Sequence, residues 1–269
     1  MNSALKTWTR LGLAGALAGG ALAGCSGEAG EGEGGEGGES AVAGEAVTGE
    51  GGESGEAGEA AGGEAGEAGA LIGGDVEAMP MVNRLAFMAG HVEAGLALYL
   101  AGDAEAAAPH LLHPVSETHA VEREGLEKMG FDKSLFEAVS ASLEAGKPAS
   151  EVEPQLKAAE ANLAEVREKI GGEPKLIISF LMETMIREYA IAVKDGAVTD
   201  PGEYQDAYGF AVVAKQVAAD LEGDAAAKVG GELDQLIALF PESGPIPPEK
   251  PAPVGQVSAL ASRVMLSLP

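Results

Sequence analysis

An all-α fold, an antiparallel helical bundle after a disordered amino-terminal tether, is what the sequence predicts, and three observations predict it. From about residue 76 apolar side chains recur at three- and four-residue steps for some 190 residues, enough chain to bury one sizeable core. No stretch alternates with period two for long enough to demand a sheet. Aromatic residues make up only 4% of a chain rich in alanine, which suits close packing of helix on helix.

The helix signals can be taken in order. Residues 79 to 101 place Val82, Leu85, Met88, Val92, Leu96 and Tyr99 on one stripe, and Gly102-Asp103 breaks it. A second helix begins at Asp103, and residues 132 to 145 read as a third. Ser150 with Glu153 has the spacing of a capping box for a helix to about Ile170, ended by Gly171-Gly172. Pro174 opens the next, which runs to about Lys194. Asp200-Pro201-Gly202-Glu203 offers an N-cap, a proline at the first helical position and an acid at the third, starting a helix that Gly223 ends. Residues 224 to 240 and 255 to 268 are the last two, with the proline-rich stretch from Pro241 to Pro253 as an ordered connection. Tyr99, Ala108 and Leu112 also fall near the spacing of a tetratricopeptide hairpin, but one copy cannot form a stacked array.

The amino terminus has the layout of a secretory signal. Lys6 and Arg10 precede an uncharged run of Leu, Ala and Gly over residues 11 to 23. That run is about half of the ~20 residues a membrane-crossing helix needs. Leu22-Ala23-Gly24-Cys25 matches the bacterial lipobox, in which the thiol becomes the attachment point for diacylglycerol. Residues 1–24 are therefore read as a lipoprotein signal peptide and Cys25 as the lipidated residue. Two or three acyl chains such as palmitate, at about 0.8 kcal/mol per buried CH₂, would hold the chain to a membrane. Ser26 in place of Asp resembles proteobacterial lipoproteins sorted to the outer membrane, which implies a domain in the periplasm or at the cell surface. With one cysteine in the chain no internal disulfide can form.

Residues 25–75 form the tether. Between 26 and 75 lie 19 glycines and 13 acids, with no Lys or Arg, so there is too little apolar surface to offset chain entropy. As a flexible coil the tract would reach roughly 40 Å. Its carboxylates attract divalent ions weakly, but nothing arranges them into a cage. Residues 76–269 remain as the helical domain, with 30 acids against 15 bases. That balance argues against nucleic acid as a partner and leaves the lipid as the membrane contact. Cations and cationic proteins fit better.

All four histidines, His91, His110, His113 and His119, fall within 29 residues. On one continuous helix His110, His113 and Glu117 would project within about 60° of one another. His91 shares a stripe with Leu85, Met88 and Leu98 on the preceding helix, which should pair antiparallel across Gly102 and could supply a third nitrogen. Imidazole and carboxylate together suit a transition metal: iron, zinc or copper. Against this, Pro114 clashes with the carbonyl of residue 110 and can kink the helix, and a single histidine on an apolar stripe, as His91 is, is more often a hydrogen-bonded core residue than a ligand. His119 with Glu122 reads as a solvated face.

A second carboxylate patch comprises Glu188 and Glu203. Glu188 interrupts an apolar stripe of Ile177, Phe180, Leu181, Thr184 and Ile191, and a carboxylate there needs a cation or a hydrogen-bond partner. A pair with Arg187, or a rim position, would satisfy it. Glu203 is expected to cap its helix, and Tyr189, Tyr204 and Tyr208 to be core aromatics with polar tips.

The run Glu188-Tyr189, Ala192-Val193, Asp195-Gly196 and Glu203-Tyr204 resembles the extracytoplasmic helical region of Ftr-type iron permeases, where an EY…G…EY hairpin recurs. The overall plan is also similar to imelysin-type periplasmic metal-uptake proteins, although their signature does not align with the segment from His110 to Glu117. The first resemblance implies handling of iron or another metal at the cell envelope, with a metal transporter as partner. No phosphate loop, Gly-x-Ser-x-Gly, His-Glu-x-x-His or Cys-x-x-Cys-His motif occurs, so no enzyme is expected. Two functions remain: a lipid-anchored metal binder for uptake or buffering, and a metal-free adaptor module docking an envelope partner.

Overall fold

The computed structural model describes residues 79–116 and 123–269. Cys25, the tether, Glu117, His119 and Glu122 lie outside the described residues. Among those described there are eight α-helices: α1 (Met81–Leu100), α2 (Ala104–Leu112), α3 (Lys133–Glu144), α4 (Ala149–Ile170), α5 (Pro174–Ala192), α6 (Pro201–Ala218), α7 (Asp224–Ile237) and α8 (Val254–Leu266). The all-α expectation holds, and no described helix is long and apolar enough to cross a membrane.

Each boundary has a local cause. Gly102, at φ 90°, turns the chain after α1, and the Asp103 carboxylate accepts from the Ala106 amide at 3.0 Å to start α2. Pro109 sits inside α2 and Pro114 follows it, so the α-helix ends at Leu112 and continues as a 3₁₀ turn over His113–Val115. The single helix expected to carry both His110 and His113 is therefore broken between them. α4 starts at Ala149 with Pro148 as N-cap and no side-chain cap bond; the Ser150–Glu153 capping box does not form, because the helix has already begun one residue before Ser150. Asp200 does cap α6, accepting from the Glu203 amide at 3.4 Å.

α5 stops at Ala192, two residues short of expectation, because the chain enters a two-residue antiparallel ladder. Val193 pairs with Val198 and Lys194 with Ala197. Asp195 and Gly196 turn between them with φ of 54° and 78°, the double positive φ of a tight hairpin. This turn lays α5 and α6 side by side. The opposite face of the pair is closed by α7 against α6 and by α8 against α5 and α7. Tyr189, Tyr204 and Phe240 meet there in the core, and the Tyr189 hydroxyl donates to the Ala252 carbonyl at 2.8 Å. That bond ties down the proline-rich connection, which is ordered as expected.

α1 packs on α6 and α2, with α3 and α4 paired beside them. Two glycines set how close α1 can come. A Cβ on Gly209 would lie 2.0 Å from the Gly90 carbonyl oxygen, and one on Gly95 would lie 2.7 Å from Leu111. The backbones of α1 and α6 thus cross almost in contact, and short side chains beside the crossing can meet from the two helices.

Candidate metal centre

His91 follows Gly90 on α1, and at this crossing its ring reaches across to α6. His91 Nδ1 lies 2.7 Å from Asp206 Oδ1. From α2, His110 Nδ1 reaches the same oxygen at 2.9 Å, while its Nε2 is 2.8 Å from Gln205 Oε1. Two imidazoles from separate helices therefore converge on one carboxylate. His91, His110 and Asp206 each offer one donor atom within 4.8 Å of the others, and all three are at most 2% exposed.

His113 stands behind this group. Its ring stacks on that of His91 with centroids 3.6 Å apart and planes 13° from parallel, and Phe87 contacts both rings edge-on. Phe210 packs on Phe87 and on His91, closing the apolar side. Arg123 donates to the Pro114 and Ser116 carbonyls, which fixes the 3₁₀ turn that carries His113.

The electrostatics are those of a buried carboxylate between two imidazoles. Burial by itself would raise the Asp206 carboxyl, but the two imidazoles beside it outweigh that and hold it well below the usual carboxylate range. A carboxylate can only accept, so the proton of the 2.7 Å contact belongs to His91 Nδ1. His91 Nε2 is then a buried nitrogen with no hydrogen bond among the described residues. A ring held by a carboxylate through one nitrogen, with the other bare, is the arrangement of metal-ligating histidines.

The sequence expectations fare unevenly. His91, His110 and His113 come together, and Glu117 lies outside the described residues. Asp206 occupies the carboxylate position and was not foreseen, nor was Gln205. Their one signal is a Gln-Asp pair inside the run from Tyr204 to Phe210, every residue of which but Tyr208 is buried. Glu188 and Glu203 are both buried, at 1% and 4% exposure, and each stands six residues from the paired Lys194 and Ala197, so they are level across the hairpin. Neither belongs to the three-residue donor group. Glu188 is not a rim residue; Arg187 lies on the exposed side of α5, 4.0 Å from Glu183. Glu203 contributes its amide to the cap and keeps its side chain in the interior.

Residues 174–268 match the family model of the iron permease-associated 4-helix bundle domain. No curated protein and no solved structure matches the chain. The matched segment holds the four helices α5 to α8, which bears out the resemblance to Ftr-type permeases read from the EY…G…EY hairpin. It contains Asp206, Gln205, Glu188 and Glu203. The histidines lie upstream of it, on α1, α2 and the 3₁₀ turn, so the centre joins the 4-helix bundle domain to the helices that precede it.

Proposed function

We propose that this protein binds a transition metal, iron, at His91, His110 and Asp206, and that it serves metal uptake or buffering at the cell envelope, held there by lipid on Cys25. The observation that carries the reading is the convergence of two buried imidazoles on one buried carboxylate. Two nitrogens and one oxygen suit iron, zinc or copper, and the match of residues 174–268 to an iron permease-associated domain favours iron among them. His113, stacked on His91, supports the ring from behind. The same match favours a metal transporter as partner; the lipobox ending at Cys25, followed by Ser26, is what supports a domain on the periplasmic side of the outer membrane or at the cell surface. Catalysis forms no part of this reading.

The test is metal analysis of the full-length protein, purified in detergent, stripped with chelator and reloaded separately with Fe²⁺, Zn²⁺ and Cu²⁺. One equivalent retained after desalting, with a raised melting temperature, is expected. His91→Ala with His110→Ala should abolish both. Metal at background and an unchanged melting temperature would leave the adaptor module as the better reading.

A further inference from the structure

We propose that the end of the bundle at which the chain enters α1 lies on the lipid surface, with Leu176 and Leu266 set among the headgroups; the inference rests on the lipid anchoring of Cys25 proposed above. Among the described residues four large apolar side chains are exposed: Leu100, Leu112, Leu176 and Leu266. Leu176 is 61% exposed and Leu266 85%, and the fold brings these two to one level. The bond from the Tyr189 hydroxyl to the Ala252 carbonyl sets the start of α8 beside the end of α5, and α8 packs on α5, so the two helices run antiparallel. Counting back along α5 from Tyr189 as far as α8 runs forward from Ala252 places Leu266 opposite Lys175 and Leu176. Half-buried Met265 and Leu268 extend the apolar surface beside Leu266.

What covers this end follows from where the chain enters it. A Cβ on Gly172 would lie 2.9 Å from Val82 Cγ2 and 3.3 Å from Ile177 Cδ1, so the first turn of α1 packs beside the first turn of α5. The chain that leads from Cys25 to α1 therefore arrives at the end that carries Leu176 and Leu266. From there α1 runs away for 20 residues, about 30 Å, and puts the exposed Leu100 at the far end. Contact through the near end asks the least extension of the tether. Two leucines bind a bilayer weakly by themselves, but lipid on Cys25 keeps the surface at high effective concentration. The flanking charges fit a zwitterionic surface: Lys175 and Glu173, both exposed, meet phosphate and ammonium groups, with the lysine stem laid along the apolar side chains. The acidity of the domain draws it to no anionic surface, so apolar contact carries the docking.

Tryptophan reporters on the full-length protein test this. Trp8 is the one tryptophan of the chain and lies in the segment read as signal peptide, so the processed protein carries none. Leu176→Trp, Leu266→Trp and Leu100→Trp each place one at an exposed site. The three proteins, purified with their lipid, are reconstituted in phosphatidylcholine vesicles with and without brominated acyl chains. Bromine should quench Leu176→Trp and Leu266→Trp roughly twofold and leave Leu100→Trp unchanged. No quenching of any of the three, on protein whose mass includes the diacylglycerol on Cys25, overturns the docking and leaves the anchor standing. Equal quenching of all three overturns it too, since no end is then preferred. Blue-shifted emission from Leu176→Trp and Leu266→Trp without quenching gives the patch to a second copy of the chain and not to lipid. A mass without diacylglycerol overturns both the anchoring and this inference.

Discussion

Gly90 and Gly209 meet where α1 crosses α6, so closely that a Cβ on Gly209 would sit 2.0 Å from the Gly90 carbonyl oxygen. The contact is backbone to backbone, which no rotamer change can relieve. The residue after Gly90 is His91 and the one three before Gly209 is Asp206, so the crossing distance also sets the distance between these two side chains. Any side chain placed here widens the centre.

Gly209→Ala is accordingly expected to destabilise the protein. Alanine gains up to ~1 kcal/mol of helix propensity over glycine, but overpacking against an unyielding neighbour costs about 1–3 kcal/mol. A net loss of about 1–2 kcal/mol should appear as a lower urea midpoint. Gly90→Ala meets the Phe210 ring at 2.2 Å, and a ring can tilt, so its loss should be smaller. Equal stability of Gly209→Ala and wild type would mean that the two helices do not touch at this point.

Asp206→Asn separates the electrostatic role of the carboxylate from its shape. The amide is isosteric but carries no charge for His91 and His110, and breaking a buried pair by removing one partner costs about 3–5 kcal/mol. The pH behaviour of the wild type has a definite sign. A carboxyl held low in the folded state contributes stability that is present above its unfolded pKa of ~3.9 and is lost as pH falls through the lower folded value. Wild type should therefore approach Asp206→Asn in stability only in strong acid, which acid titration followed by far-ultraviolet circular dichroism can check.

Glu93 titrates in the opposite sense. Burial, joined by the charge of Glu160 and partly offset by the Gln216 amide donating at 2.8 Å, pushes its carboxyl up to about 7. The folded state then holds the proton more tightly than the unfolded one. Stability should fall as pH rises from about 4.5 to about 7 and stay reduced above that. Glu93 keeps a partly exposed edge, so the effect is about 1–2 kcal/mol. Glu93→Gln keeps the accepting oxygen and should be more stable than wild type at pH 8 by that amount, with the two curves converging near pH 4. Parallel curves would show that Glu93 is solvated.

His113→Ala is expected to weaken metal binding less than His91→Ala or His110→Ala. Its ring stacks on His91 but offers no atom to the three-residue donor group. Calorimetric Zn²⁺ titration should show less than a tenfold loss for His113→Ala. A loss as large as that for His91→Ala would make His113 a ligand.

Deleting residues 26–75 should leave the melting temperature within about a degree or two, since a tract of this composition buries almost nothing. Cys25→Ala should release the protein from the membrane fraction. Retention there would mean that the amino-terminal apolar run is itself the anchor.

The helices were legible because their signals are local: the Gly102-Asp103 break, Pro174, and the Asp200 cap each act within one turn of chain. The errors at Lys194 and Ser150 are boundary errors, caused by a two-residue ladder and by a proline that starts α4 early. The histidines were legible as a cluster because they are close in sequence. Asp206 was not, since its meaning depends on a helix crossing 115 residues away, and periodicity carries no information about which faces meet. Glu117 has helical spacing from His110 and His113, but the α-helix ends at Leu112, ahead of Pro114.

That separation of 115 residues between His91 and Asp206 also fixes an order of events. The histidines leave the ribosome long before the carboxylate does, and a contact so distant along the chain closes late in folding. Until α6 docks on α1, the chain presents imidazoles without their anion, a weak and open ligand set. If the centre holds an ion, as proposed, its capture waits for the docking of α6 on α1 and not for the synthesis of the histidines.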